Sequence, residues 1–148
     1  MKILVKVSLT IALLFGLAAC TGVETREQKF ANTEKKAAGG NVQAQYTLGL
    51  MYEQGYGVTQ DKYQAALCYR KAAEKGHAQA QYRLGYLYHN GQGMPRDLRQ
   101  AAEWYAKAAE QRDVPAQADM GNMHLVGEGV PKDISKAEYL RLRNYFEN

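Results

Sequence analysis

Two serines, two cysteines and three histidines are the residues of this chain most able to carry nucleophilic, proton-transfer or metal chemistry. Ser135 follows Asp133 by two positions, where a short polar side chain belongs to a helix start. Cys68 lies on the packing side of a helical pattern, and a buried structural thiol is inert. His77 stands just before a helical run, at the phase of Asn41 and Asp113, so it reads as a loop or cap residue. His124 replaces Tyr52 and Tyr88 at their shared phase and is expected to pack with partial exposure, while His89 faces away from the core. There is no Cys/His cluster, no His-x-x-x-His and no run of acidic ligands, so no metal is expected. The glycine pairs Gly55–Gly57, Gly91–Gly93 and Gly127–Gly129 follow helical runs, and a phosphate-cradling loop would follow a strand. They are turns. The chain therefore reads as a non-enzyme, with no catalytic residue and no cofactor.

What organises these residues is a repeat. AQYTLGLMYEQGYG from Ala44 returns as AQYRLGYLYHNGQG from Ala80 and, more faintly, as AQADMGNMHLVGEG from Ala116, each 36 residues after the last. A period of this length marks a solenoid, in which one supersecondary unit stacks on the next. Within the second copy, Ala80, Leu84, Leu87 and Tyr88 share a stripe at helical spacing, with Tyr82, Arg83, Tyr86 and Asn90 opposite. Gly91 and Gly93 end that helix. Asp97 then caps a second helix, whose buried surface is assigned to Ala101, Ala102, Trp104, Tyr105, Ala108 and Ala109. Gly49, Gly85 and Gly121 recur in mid-helix, where glycine costs about 0.5–1 kcal/mol relative to alanine. That cost, repeated in phase, points to close helix–helix approach. Subtracting one period from Asp61 gives Thr25, and Thr25 with Gln28 forms a capping box. An orphan second helix over 25–38 should therefore close the stack, followed by helices near 42–54, 61–75, 78–90, 97–111, 114–126 and 133–145.

The pattern resembles the Sel-1-like repeat, a relative of the tetratricopeptide repeat. The first copy carries the resemblance through Leu48, Gly49, Tyr52, Gly55, Gly57, Val58, Asp61, Ala65, Tyr69, Lys71, Ala72 and Ala73. The second does so through Leu84, Gly85, Tyr88, Gly91, Gly93, Asp97, Ala101, Trp104, Tyr105, Lys107, Ala108 and Ala109. Cys68 stands where the family has Trp. The third copy drifts, with Met120 for Leu, His124 for Tyr and Leu140 for Trp, and Arg112 stands where a glycine would precede it. The resemblance implies an all-α fold: a short, right-handed α-solenoid of three repeats, near 41–76, 77–112 and 113–148, in a domain spanning 25–148.

The N-terminus reads as a processing signal. Lys2 and Lys6 precede an apolar run from Val7 to Leu17, and Leu17-Ala18-Ala19-Cys20 places small residues before a cysteine. This resembles the bacterial lipobox, which implies cleavage of residues 1–19, acylation of Cys20 and a short tether over 20–24. Spanning a bilayer needs about 20 apolar residues, and the run is shorter. Setting aside Lys2 and Lys6 leaves 17 basic against 15 acidic residues, a net charge of +2 in place of +4. No clustered Lys and Arg mark a nucleic-acid surface. With Cys20 committed to lipid, Cys68 has no disulfide partner within the chain.

What remains for function is surface. The first helices of successive repeats line one curved face of a solenoid. Here that face offers Tyr46, Thr47 and Leu50, then Tyr82, Arg83 and Tyr86, then Asp119 and Asn122. Tyrosine and arginine suit protein interfaces, although Tyr46 and Tyr82 could instead pack between repeats. The expectation is a monomeric, lipid-anchored module of the bacterial envelope that binds a protein or peptide partner. In a Gram-negative cell the resemblance favours the outer membrane, facing periplasm or surface. The same resemblance admits an immunity protein that blocks a secreted toxin. It also admits an enzyme that binds or hydrolyses β-lactams, although relatives of that kind carry regularly spaced cysteine pairs that this chain lacks.

Overall fold

The structure, a computed structural model, describes residues 22–146. The expected signal peptide over 1–19 and the expected acylation site Cys20 lie outside the described residues. Those residues hold seven α-helices of 13 residues each and no strand: α1 Arg26–Ala38, α2 Val42–Gln54, α3 Lys62–Glu74, α4 Ala78–Asn90, α5 Leu98–Glu110, α6 Val114–Val126 and α7 Ile134–Phe146. None is long and apolar enough to cross a membrane. The main packing contacts join helices adjacent in the chain, so the architecture is an all-α solenoid of helix pairs closed at its N-terminal end by α1.

The cap residues fix where each helix begins. Thr25 and Gln28 form the reciprocal capping box at α1. Asp61 and Asp97 each accept two backbone N–H bonds at the starts of α3 and α5. Asn41, His77 and Asp113 each accept the N–H three residues on, at α2, α4 and α6. These bonds satisfy donors that a helix N-terminus otherwise leaves unpaired.

Glycine sets the distances between helices. A Cβ on Gly49 would lie 2.5 Å from the Tyr69 ring, and one on Gly85 would lie 2.7 Å from the Tyr105 ring. The second helix of each repeat thus presses an aromatic ring onto bare backbone of the first. In the third repeat Arg141 takes the ring's place over Gly121. The second glycine of each turn contacts the preceding repeat: at Gly57, Gly93 and Gly129 a Cβ would meet the backbone of Arg26, Lys62 and Leu98 at 2.3–2.5 Å. With φ of 69–72° as well, these positions suit glycine on two counts.

Tyr69 and Tyr105 are the deepest large side chains, at 0% and 1% exposure, packed among the paired alanines of α3 and α5. Two expectations need correction. Trp104 is only half-buried, lying against the edge of the core with the Lys107 ammonium 4.1 Å from its ring centroid. Bare backbone at Gly85 on the first helix gives the deep position to Tyr105, one place further along α5. His124 is buried rather than partly exposed, because its Nδ1 lies 3.1 Å from the Pro131 carbonyl oxygen and draws the ring inward.

Candidate functional site

One side of each first helix is consumed by the core: Ala44, Leu48 and Met51 on α2, Ala80, Leu84 and Leu87 on α4, Ala116, Met120 and Met123 on α6. The residues expected to meet a partner lie off this stripe, although Tyr46, Leu50 and Tyr82 still pack against the core clusters from its edge. Because the 36-residue period places the three helices alike, these residues line up repeat by repeat.

The structure brings several of them together. The Tyr46 ring stacks on His77 at 4.6 Å and lies 5.8 Å from Tyr69. Its hydroxyl bonds to Arg83, whose guanidinium also lies 3.8 Å from the Glu53 carboxylate. Tyr69 donates its hydroxyl proton to the same carboxylate. One repeat on, Tyr82 stacks on Tyr105 at 5.6 Å and bonds to Asp119 of the third repeat. Burial and the Asp119 carboxylate push the Tyr82 hydroxyl up to about 12. Burial and the bond to Glu53 hold Tyr69 well above the ordinary phenol range. Both phenols therefore stay protonated and act as hydrogen-bond donors.

The result is a polar lattice that links first helices across repeats, Tyr46–Arg83–Glu53 between α2 and α4 and Tyr82–Asp119 between α4 and α6. Tyr46, Tyr82, Arg83 and Asp119 thus carry inter-repeat contacts while remaining partly exposed. Tyr86, 36% exposed, and Asn122 stay at the surface, whereas Thr47 is half-buried and Leu50 packs against the core. The Thr47 hydroxyl donates to the Gln43 carbonyl oxygen, so it is turned back on its own helix. Glu53 was not legible in the sequence as part of this group. Its counterparts in the other copies are His89 and Leu125, so the repeat gives no signal for it, and its partners Tyr69 and Arg83 are distant in the chain.

His77 shows how little chemistry the lattice offers. Its Nδ1 accepts the Ala80 N–H, so Nε2 carries the proton and donates to Gln43 Oε1 at 3.1 Å. Burial lowers its pKa, which keeps the ring in that neutral form. Among the described residues no three His, Cys, Asp or Glu side chains gather as metal ligands. Aromatic faces, amides and a paired guanidinium are what the face presents.

Three segments of the chain, 42–77, 78–113 and 114–140, match the Sel1 repeat. Among solved structures, a Sel1 repeat protein from Oxalobacter formigenes is 37% identical with a TM-score of 0.76, over 86% of this chain and 54% of that one. The protein c5321, a protective antigen of uropathogenic Escherichia coli strains with an SLR fold, is 36% identical with a TM-score of 0.79, over 89% of this chain and 29% of that one. Helicobacter pylori cysteine-rich protein B is 28% identical with a TM-score of 0.59, over 80% of this chain and 88% of that one. The chain thus spans about half the length of the first of these structures and under a third of the second. Among curated proteins none matches.

Proposed function

The chain belongs to the Sel1 repeat family, whose members generally mediate protein–protein interactions, and we propose that it is a binding module held at the bacterial envelope by acylated Cys20. Its partner is a protein or peptide, gripped by the side of the solenoid that the first helices line. The observation that carries this reading is the lattice itself. It ties Tyr46, Tyr82 and Arg83 to neighbouring repeats by ring stacking, hydrogen bonding and ion pairing, with the exposed Tyr86 on the same helix as Tyr82 and Arg83, so a partner meets a preorganised aromatic and hydrogen-bonding surface. Aromatic and arginine side chains at the centre of a contact are where binding energy concentrates.

The structure also sorts the residues for a test. Tyr86 and Asn122 are at the surface, so Tyr86→Ala with Asn122→Ala should reduce capture of partners from envelope extracts while leaving the melting temperature near the wild-type value. Losing a hot spot weakens binding by about 2 kcal/mol or more. Arg83→Ala should lower both capture and stability, since it also releases Glu53 and Tyr46. Changing the exposed second-helix residues Arg99 and Glu103 should alter neither. Undiminished capture by the Tyr86/Asn122 double variant would place the working surface elsewhere.

Anchoring has its own measurement. Labelled palmitate should enter the wild type and not Cys20→Ala, which lacks the thiol that takes the lipid; two or more acyl chains on one cysteine would then give stable attachment where one is marginal. An intact, unacylated Met1 terminus in the membrane fraction would contradict the anchor.

A further inference from the structure

Each repeat presents to the one after it a set of residues that recurs at fixed phases. Val42 of the first repeat packs in the cluster that holds Leu84 and Leu87, and Glu53 pairs with Arg83. Leu98 and Ala106 of the second pack in the cluster that holds Met120 and Met123, and Gly129 seats on the Leu98 carbonyl. In the third repeat these four phases hold Val114, Leu125, Ile134 and Leu142. All are apolar, and all are between 37% and 56% exposed. They mark the C-terminal end of the stack.

The N-terminal end is built otherwise. Ala65, Tyr69 and Ala72 are fully buried in the core of the first repeat. One period earlier, α1 carries Lys29, Thr33 and Lys36 in their place, with both lysines exposed. A polar outer face is what a terminal element of a solenoid needs to stay soluble. The third repeat instead keeps the apolar residues of an interior junction, and exposed apolar surface of this kind marks an interaction site.

The same junction one repeat earlier shows what kind of element fits. Ala116, Met120 and Met123 are spaced i, i+4, i+7 along α6, the anchor spacing of a helix laid in an apolar groove. Ala116 packs with Ala109 at one end and Gly129 meets Leu98 at the other, so α6 runs antiparallel to α5 with Ala102 between. Two charges distinguish the end face from that junction. Glu138 stands at the Ala102 phase, midway between Ile134 and Leu142, and calls for a cation on the covering helix. Lys132 stands at the phase of Arg96, whose guanidinium lies 3.8 Å from Glu128 in the following turn, and calls for an acid there.

We propose that the end face of α6 and α7 is a docking site for an amphipathic helix of a protein partner. That helix is apolar at the Ala116 and Met120 positions, basic at the Met123 position where it meets Glu138, and acidic in the turn that meets Lys132. It continues the stack as α6 continues it on α5. The site rests neither on acylated Cys20 nor on the Tyr86 surface, and it stands or falls separately from both.

The probe is a synthetic peptide of residues 113–129 carrying Met123→Lys, titrated into the purified protein and followed by NMR. Saturable shifts are expected at the Val114, Ile134 and Leu142 methyls. Leu142→Glu should abolish them, and Tyr86→Ala should leave them unchanged. The affinity ratio of this peptide to the unsubstituted one should fall about threefold when Glu138 is replaced by Ala, since the ion pair is then lost. Short helices are marginal in isolation, so the same segment is also fused after Asn148, in register with the 36-residue period. Its amides should be protected from hydrogen exchange, and Leu142→Glu should remove that protection. No saturable shift with the free peptide, shifts that persist in a folded Leu142→Glu protein, or a fused segment without protection would each overturn the site. A concentration-dependent dimer of the free protein that Leu142→Glu disperses would overturn it too, by assigning the face to a second copy.

Discussion

His77 holds a position that Asn41 and Asp113 hold in the neighbouring repeats, and the exchange makes one helix cap sensitive to pH. The cap works only while Nδ1 is unprotonated and accepts the Ala80 N–H. Burial depresses the folded pKa below the ordinary 6.5, so folding favours the neutral ring. The stability that this contributes is present above the unfolded pKa and is lost as pH falls through the folded one. Melting temperatures of the wild type should therefore fall between pH 7.5 and 5 more steeply than those of His77→Asn, which caps at every pH in that range. Equal slopes would show that the cap does not titrate with the fold. Arg112 is the other residue-scale departure. It adopts φ 65° where Gly40 and Gly76 sit at 88° and 87°, and the sequence shows it, since a glycine belongs at that phase.

At the scale of elements, the repeat explains why so much was legible. A helix start recurs at Asp61, Asp97 and Asp133 and a helix stop at Gly55, Gly91 and Gly127, so each boundary is read three times. Thr25 was found by subtraction alone, and its capping box is present. Depth of burial was less legible, because adjacent aromatics on one helix both look apolar. On α5, Tyr105 at 1% exposure lies over Gly85, while Trp104 rests half-exposed under Lys107. The larger ring is thus the less costly to remove. Tyr105→Ala should destabilise by about 3–5 kcal/mol, as for other buried aromatics, and Trp104→Ala by about 1–2 kcal/mol for the area it buries. Denaturant titration of the two variants gives the order, and a greater loss at Trp104 would contradict it.

At the scale of the molecule, what no single repeat could show is the traffic between repeats. Arg83 reaches back to Glu53, and Tyr82 reaches forward to Asp119. The same linear arrangement predicts how the molecule loosens. Each helix packs chiefly on its chain neighbours, so disturbance should spread by nearest-neighbour coupling. α1 docks on α2, where the Phe30 ring meets Tyr52 edge-on at 5.3 Å, and its other side has no described helix against it. Phe30→Ala should accordingly speed hydrogen exchange in α1 and the facing turns of α2 while α4 to α6 keep their protection. Tyr105→Ala, placed where α5 touches both α4 and α6, should lower protection on both sides. If Phe30→Ala instead lowers protection evenly through α6, the stack melts as one cooperative unit, and the lattice of Arg83, Glu53, Tyr82 and Asp119 is the set of bonds that couples its repeats.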